Sequence, residues 1–372
     1  MKRIFFLFLA GLLLLTSCNN KNRDKEQKTV ALTEDQAYKR MGSGVVLVKV
    51  DYYYSITFRN QKPLYFSGVS DDGEIQNLTA EEEEIEANQL FGTGFFVTED
   101  GHIATNAHVV TPIGNAGQAH DVLVEAFSKI ADELKDQINQ LNSNIGALEY
   151  ALKEASADEA WQLNNEYQTK RNERDALQAY VNDIERVNIS SHAVTLHKDV
   201  SVALNNTFVT ASSDFLPCVP SREDEQHDLA LIRLKDKKTP EGCFVFKVPG
   251  FRTISQQENN TENGRKTPAP RTISVKPGDK VYIIGFNYGP ALALTDEGIR
   301  AQITSGTVSQ DGGSDRIMYT TPTLVGSSGA PVINNRGQLV AVNYATITGT
   351  QGFNYGIKVK HLTDLLNDNG DH

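Results

Sequence analysis

Three segments of the chain place side chains suited to nucleophilic catalysis at the ends of strand-like runs. His108 closely follows the apolar run that ends at Thr105, and Asp228 stands directly before the apolar run 229–234. Ser328 lies in the glycine-rich segment 326–331, ahead of another apolar run. A base, a carboxylate and a hydroxyl are the components of a hydrolytic serine centre.

Each of these side chains has a distinct chemical role. A serine hydroxyl is a weak nucleophile near neutral pH until a base takes its proton, which an imidazole can do. A buried carboxylate fixes the imidazole tautomer and stabilises the imidazolium. Glycine beside the serine lets backbone N–H groups point at the developing oxyanion. The chain order His, Asp, Ser and the residue Ala330 exclude the α/β-hydrolase elbow, which needs G-x-S-x-G and the order Ser, Asp, His.

Short strands predominate among the elements that must position these groups. They are β-branched or aromatic, separated by turn signals, and favour a sandwich or barrel over βαβ units. The predicted strand-bearing segments are 45–58, 92–110, 120–127, 192–210, 227–235, 280–286, 299–310, 316–323, 338–347 and 353–359.

Between the histidine and the aspartate, the hydrophobic period changes to 3.5 residues, which predicts two helices with heptad seams. A short break at 154–159 joins them, so the segment 127–188 is an inserted antiparallel hairpin about 40 Å long. Two cations interrupt the second seam, and we expect the seam either to loosen near them or to pair them with acids such as Glu149. The seam positions are Leu134, Ile138, Leu141, Ile145, Leu148, Leu152, then Leu163, Tyr167, Lys170, Arg174, Leu177, Val181 and Ile184.

In three segments the chain resembles trypsin-like (chymotrypsin-fold) serine proteases, most closely the bacterial HtrA/Deg branch. The segments 92–110, 227–234 and 326–333 are similar to that branch's His, Asp and Ser motifs. The resemblance covers about 44–125 and 190–362. It implies a mostly β fold, a chymotrypsin-like double β-barrel with an inserted antiparallel α-helical (coiled-coil) hairpin, and a catalytic site between the barrels. No PDZ domain is expected.

The resemblance also implies roles for particular residues. His108 would be the general base, Asp228 its orienting carboxylate and Ser328 the nucleophile, with the N–H groups of Gly326 and Ser328 forming the oxyanion hole. Ser327 departs from the family pattern by replacing an Asn or Asp. Ala330, noted above, replaces a second glycine.

The resemblance places the substrate pocket around Pro322, Thr323, Asn343 and Phe353. Trypsin-type enzymes carry an acid six residues before the nucleophile, where this chain has Pro322. Cleavage after Arg or Lys is therefore disfavoured, and we expect small or medium aliphatic side chains at the cleaved position.

The N-terminal sequence predicts an export signal followed by a site for lipid attachment. Lys2-Arg3 precedes the apolar run 4–15, which is too short to span a bilayer as a stable helix. The following Leu15-Thr16-Ser17-Cys18 resembles the lipobox of bacterial lipoproteins, so Cys18 is the expected lipidation site. Asn19 after the cysteine favours the outer membrane, with the side of that membrane left open.

The remaining composition bounds partners and cofactors. The 36 basic and 47 acidic residues give a net charge of −11, which excludes a broad nucleic-acid surface. The eight His residues show no ligand spacing along the chain, so no metal site or cofactor is expected. Cys218 and Cys243 are either one disulfide or two separate thiols.

The predicted organisation starts with an export signal and ends with the second barrel. Its parts are a lipoprotein signal peptide at 1–17, a flexible tether at 18–36, an N-terminal barrel at 37–250 with the insertion 127–188, a linker at 251–272 and a C-terminal barrel at 273–372.

These observations together predict a membrane-tethered serine endopeptidase in the cell envelope, acting on polypeptides. Two alternatives remain open. One is a catalytically silent binding protein that uses the hairpin 127–188 as a docking arm for a partner or for self-association. The other is an esterase or acyl transferase that uses the same three side chains.

Overall fold

Two closed six-stranded antiparallel barrels form the body of the protein, which confirms the predicted double barrel.

Among the described residues, no helix combines the length and the apolar character that crossing a bilayer requires. Residues 1–17, Cys18 and most of the predicted linker lie outside the described residues. The computed structural model describes residues 31–57, 62–70, 75–112, 116–186, 194–251, 273–346 and 353–368.

The first barrel follows the strand order β1-β5-β6-β9-β8-β7 and closes by pairing of β1 with β7. The short strand β2 extends the sheet beyond β1, and β3 pairs with β4 as a separate ribbon. The strands are β1 Val45–Ile56, β2 Leu64–Phe66, β3 Gly68–Val69, β4 Ile75–Gln76, β5 Asn88–Phe96, β6 His102–Thr105, β7 Val194–Leu204, β8 Leu216–Asp224 and β9 Leu229–Leu234.

The second barrel closes in the order β10-β13-β14-β17-β16-β15, and β11 with β12 forms a ribbon beside it. Its strands are β10 Lys280–Gly285, β11 Leu294–Thr295, β12 Gly298–Ile299, β13 Gln302–Gly312, β14 Arg316–Tyr319, β15 Pro331–Asn334, β16 Leu339–Thr346 and β17 Asn354–Lys358.

Helices start the described chain, support the histidine, form the insertion and end the chain. α1 begins inside the segment predicted to be a flexible tether, because Thr33 and Gln36 form a capping box around its first turn. The helices are α1 Glu34–Met41, α2 Ala107–Val110, α3 Ala116–Glu154, α4 Ala157–Arg186, α5 Pro290–Ala293 and α6 Val359–Asn367, with 3₁₀ turns at Gly42–Gly44, Glu82–Glu84 and Ser212–Asp214.

Alternation along the strands explains why the two barrels pack together. Successive side chains of a strand point to opposite faces. In β1, Val46 and Val48 lie in the interior cluster of the first barrel, whereas Val45 and Leu47 lie in a second cluster shared by both barrels. β10 repeats this pattern, since its alternate residues divide between the shared cluster and the interior of the second barrel. The shared core therefore holds the two barrels against each other.

The insertion is the predicted helical hairpin, longer at its first helix than the sequence indicated. Segment 120–127, predicted as a strand, is wrong: it belongs to α3. The reason is that Phe127, Ile130 and Leu134 share one helical face, which packs on Tyr54 and Phe66 of the first barrel. The base of the hairpin is thus buried against the barrel.

The two cations in the second seam pair with acids of their own helix. Lys170 bonds Glu173 at 2.9 Å and Arg174 bonds Asp175. Glu149, the acid expected to meet them, instead accepts the hydroxyl of Tyr167 at 2.9 Å. The two helices are therefore joined here by the Tyr167–Glu149 hydrogen bond, in place of the ion pairs that the sequence predicted across the seam.

Both described cysteines are free thiols. Cys218 is buried on β8 and Cys243 packs against the same interior cluster. Burial raises the pKa of Cys218 to about 12 and also raises that of Cys243. Of the two alternatives left by the sequence, the structure has the separate thiols.

Candidate active site

His108 and Asp228 are joined by two hydrogen bonds on the first barrel. The backbone N–H of His108 donates to Asp228 Oδ1 at 2.8 Å, and ring Nδ1 lies 2.6 Å from Oδ2. Because a carboxylate only accepts, Nδ1 carries the proton of this bond. Nε2 of a neutral His108 is then the unprotonated nitrogen, and the side chain is 42% exposed.

The loops around this pair hold it by backbone geometry. His108 lies in α2, one turn of helix directly after β6, and Asp228 precedes β9. Asp228 adopts φ +51°, a left-handed conformation that Asp tolerates better than most side chains. Fully buried Asn106 donates from Nδ2 to the Asp228 carbonyl at 2.8 Å, which ties the two loops together.

Ser328 lies in the turn between β14 and β15 on the second barrel. Its Oγ donates to the carbonyl of Tyr344 at 3.4 Å, a long and weak bond. Across the described residues, no hydrogen bond joins Ser328 to His108. Ser328 and His108 thus both contact Tyr344, and the Ser328 hydroxyl is turned toward its carbonyl.

The carbonyls that precede the two predicted oxyanion-hole N–H groups are both hydrogen-bonded. The carbonyl of Val325 accepts the N–H of Tyr288 at 2.5 Å, and the carbonyl of Ser327 accepts Asn343 Nδ2 at 2.8 Å. In a trans peptide the N–H points away from its carbonyl. The N–H groups of Gly326 and Ser328 therefore face the other way, and neither donates to a protein acceptor within the described residues.

Two threonines of the first barrel secure the nucleophile loop. Thr93 donates its hydroxyl to the Gly326 carbonyl and its N–H to the Ser328 carbonyl, each at 2.8 Å. Thr105 donates to the Thr93 carbonyl at 2.8 Å. A Cβ at Gly329 would lie 2.1 Å from the Thr93 carbonyl oxygen, so this close approach requires glycine.

Asn343 supports the loop from the second barrel. It is 2% exposed, and its Nδ2 also reaches Ser327 Oγ at 3.2 Å. Its Oδ1 accepts the hydroxyl of Tyr319 at 2.7 Å. Complete burial raises the pKa of Tyr319 well above its ordinary value, so the phenol stays a neutral donor.

The residues predicted to line the substrate pocket are spread between surface and interior. Pro322 and Phe353 are exposed, whereas Thr323 is buried. Asn343 is buried beneath the nucleophile loop, as just described. The two exposed members are thus the ones in a position to meet a ligand from solvent.

Sequence reasoning did not single out Thr93, Asn106 or Tyr344. Tyr344 packs edge-on to His108 with ring centroids 6.2 Å apart, and the guanidinium of Arg316 lies 5.0 Å from the Tyr344 ring centroid. Thr93 and Asn106 do stand inside the segment that carries the histidine motif, so their position next to it was the available signal.

Comparison with known proteins finds a family model that is similar to part of the chain. Residues 188–342 match the family model of the trypsin-like peptidase domain. This segment, less than half of the chain, is similar to that domain. The matched range includes Asp228 and Ser328, and the helical hairpin separates it from His108.

Among solved structures, the chain is similar to the crystal structure of the serine endoprotease from Yersinia pestis. The sequences are 14% identical, the match covers 91% of this chain and 68% of that chain, and the TM-score is 0.42. The family match confirms the predicted enzyme class, a trypsin-like serine hydrolase.

Proposed function

We propose that the protein is a serine endopeptidase that uses His108, Asp228 and Ser328, tethered to a membrane through Cys18. The observation that carries the catalytic part is the doubly bonded His108–Asp228 pair, which leaves Nε2 of a neutral ring free to accept a proton. Ser328 reaches that nitrogen by rotating away from its weak bond to Tyr344.

In the proposed reaction, Ser328 Oγ attacks the carbonyl carbon of the scissile peptide while its proton passes to His108 Nε2. The oxyanion that forms is stabilised by the N–H groups of Gly326 and Ser328. His108 then gives the proton to the leaving amine, and the C–N bond breaks. A water molecule, deprotonated by the same imidazole, hydrolyses the acyl-enzyme and restores the serine.

Exposed apolar side chains beside the nucleophile support an apolar polypeptide as substrate. Val325 is 79% exposed directly before Gly326, and Leu324 is half-exposed. Tyr288 is exposed as well and bonds the Val325 carbonyl through its N–H. We propose that these side chains bind aliphatic residues of the substrate, in keeping with the absence of an acid at Pro322.

Labelling with a fluorophosphonate probe tests the catalytic part. The full-length protein in detergent should be labelled once, with the adduct on Ser328 by mass spectrometry, and Ser328→Ala should abolish it. Ser212→Ala, an exposed serine of the first barrel, serves as the matched control and should label normally. Equal labelling of the Ser328→Ala variant would refute the assignment.

A second function is favoured by one observation at the far end of the hairpin. Tyr150 and Trp161 are about 70% exposed within the turns nearest the hairpin tip. In this alternative, the domain is catalytically silent and the hairpin docks on a protein partner or a second copy. Absence of labelling, with or without unfolded protein present, would favour it over the endopeptidase.

Lipid attachment is tested separately by metabolic labelling with an alkyne-bearing fatty acid in a bacterial host. Incorporation should occur in the native chain and in Cys243→Ala, and it should be lost in Cys18→Ala. Equal incorporation in all three proteins would remove the tether from the proposal and leave the catalytic part untouched.

A further inference from the structure

Three metal-ligating side chains from distant parts of the chain meet outside the active site. His227 lies in the loop between β8 and β9, Asp315 in the turn between β13 and β14, and His361 in the first turn of α6. Their ligating atoms all lie within 4.8 Å of one another. We call these three residues the His–Asp–His cluster.

The spacing of the cluster is close to that of a zinc coordination shell. His361 Nε2 lies 3.2 Å from Asp315 Oδ1, and the rings of His227 and His361 stack with centroids 3.6 Å apart. In a tetrahedral zinc site with bonds near 2.1 Å, neighbouring ligand atoms are roughly 3.4 Å apart. One edge already has this length. Rotation of the exposed Asp315 carboxylate can shorten its distance to His227, and the two stacked imidazole rings must turn so that their lone pairs converge on one ion.

The Asp224 carboxylate orients the His227 ring and leaves one ring nitrogen able to bind a metal. Asp224 Oδ2 lies 2.7 Å from His227 Nδ1, and Asp224 Oδ1 accepts the His227 N–H at 3.1 Å. The proton of the neutral ring is therefore on Nδ1, and Nε2 keeps its lone pair. A carboxylate behind a ligating imidazole is the usual outer shell of zinc sites.

The elements that carry the cluster are fixed to each other. Arg222 of β8 donates to the carbonyls of Leu365 and Leu366 near the end of α6, both at 3.1 Å. The N–H of Lys358 donates to the Asp315 carbonyl at 2.8 Å, which places the turn beside the start of α6. The cluster thus lies where a loop of the first barrel meets a turn and a helix of the second.

Two groups besides His361 contact the Asp315 carboxylate. Ser314 Oγ donates to Oδ1 at 2.5 Å, and the Lys360 ammonium lies 3.8 Å from the same oxygen. Lys360 is exposed, so its side chain is free to move aside when a divalent cation takes over the charge. Asp315 is exposed while His361 is buried, so the cluster opens to solvent on the carboxylate side.

We propose that His227, Asp315 and His361 bind one Zn²⁺ ion, with water at the fourth position. Two imidazole nitrogens and one carboxylate oxygen match the ligands zinc prefers, whereas Ca²⁺ and Mg²⁺ take oxygen ligands. The ion joins the two barrels at the residue directly before Asp228. The proposal does not depend on the serine chemistry, because its readouts are metal binding and stability.

Calorimetric titration of the EDTA-stripped, full-length protein with zinc sulfate tests the site. We expect one Zn²⁺ per chain and a higher unfolding temperature with zinc, unchanged by millimolar Mg²⁺ or Ca²⁺. Asp315→Asn, on an exposed side chain, should weaken binding by more than about 100-fold, and Asp224→Asn by about 10–100-fold. Asp364 is an exposed acid of α6, the helix that carries His361. Asp364→Asn makes the same charge change as Asp315→Asn and should bind zinc like the native protein.

Cobalt substitution gives a spectroscopic check. Co²⁺ in the native protein and in Asp364→Asn should show the visible bands of a tetrahedral site, and Asp315→Asn and His361→Gln should lack them. Absence of stoichiometric zinc binding, or equal binding in Asp315→Asn and the native chain, would overturn the proposal. Binding lost in His108→Ala but kept in Asp315→Asn would place the metal at the catalytic histidine and overturn it as well.

Discussion

The two halves of the candidate active site are held in different ways. The histidine half, His108 and Asp228, is built by loops of the first barrel alone and has its internal hydrogen bonds formed. The serine half, residues 326–329, belongs to the second barrel but is also bonded to Thr93 of the first. The first half is complete within one barrel, whereas the geometry of the second requires both barrels to be docked.

One buried asparagine supports each half, and the two asparagines differ in how many atoms of the side-chain amide are hydrogen-bonded. Asn343 uses both ends of its amide, toward Ser327 and Tyr319. Asn106 donates to Asp228, while its Oδ1 is buried without a hydrogen-bond partner among the described residues. The serine half is thus the more heavily cross-linked one, as expected of a loop that must present two N–H groups and a nucleophile together.

The largest effect is expected where the histidine half is broken. Asp228→Asn removes the carboxylate that fixes the tautomer of His108, so kcat on a peptide substrate should fall by about 10³–10⁴-fold. Asp236→Asn, an exposed acid of the same barrel, is the control and should keep full activity. A fall of less than tenfold for Asp228→Asn would mean that the histidine is oriented by something else.

The dependence of the serine half on the first barrel is tested at Gly329. Gly329→Ala places a methyl against Thr93 and Thr105 and imposes φ +85° on an alanine, which should cost about 2–4 kcal/mol of unfolding free energy. Gly242 has the same φ but open space around it, so Gly242→Ala should cost only about 1 kcal/mol. Equal losses in urea unfolding would show that the contact with the first barrel carries no strain.

Alanine at the two asparagines should loosen the two halves separately. Asn343→Ala should slow fluorophosphonate labelling by about 10–100-fold, because a small displacement of the nucleophile is enough to do so. Hydrogen exchange should rise at 324–330 in this variant and near 106–110 in Asn106→Ala. Faster exchange of both segments in either variant would mean that the halves are one cooperative unit.

The smallest effect concerns acid stability of the first barrel at Asp100. Burial raises the pKa of this carboxyl, but hydrogen bonds from Thr98 and His102 and the charge of Arg233 outweigh it, so the pKa is lowered from 3.8. Between the lowered and ordinary values the unfolded chain binds more protons than the folded one. The stabilisation is therefore complete above the ordinary pKa and is lost as the pH falls through the lowered value.

Urea midpoints of the native protein and Asp100→Asn measure this contribution. Their difference should be largest near neutral pH and should shrink as the solution is made more acidic than about pH 4. Asp236→Asn again serves as the control. A difference that grows in acid would reverse the sign of the argument.

Local sequence was sufficient for most of the strands and for the hairpin, whereas the catalytic roles of His108, Asp228 and Ser328 stay predictions. The strands alternate between two buried faces, and the helical seams repeat every 3.5 residues, so each signal lies within a dozen residues. The strand predicted at 120–127 was wrong because a short apolar run fits a strand and a buried helix equally well. β8 was overlooked because it contains Pro217 and Pro220, and its ladder with β9 shifts register beyond Pro220.

Features that depend on contacts between distant segments could not be predicted. Asn343 was placed in the substrate pocket, yet its position beneath Ser327 follows from the contact of β16 with the nucleophile loop and not from its neighbours in sequence. The His–Asp–His cluster joins residues at 227, 315 and 361, so no spacing along the chain reveals it. The weak bond from Ser328 to Tyr344 likewise depends on how two loops approach each other.

The inserted hairpin also changes how the first barrel can close during folding. About 90 residues separate β6 from β7, but roughly 17 of them lie outside the two helices and their tip. Helical hairpins form from local contacts on fast timescales, and this one returns the chain to its starting point. Once it has formed, the entropy cost of closing the loop falls by about 1.5 kcal/mol. The connection between β6 and β7 therefore closes, during folding, like a much shorter loop.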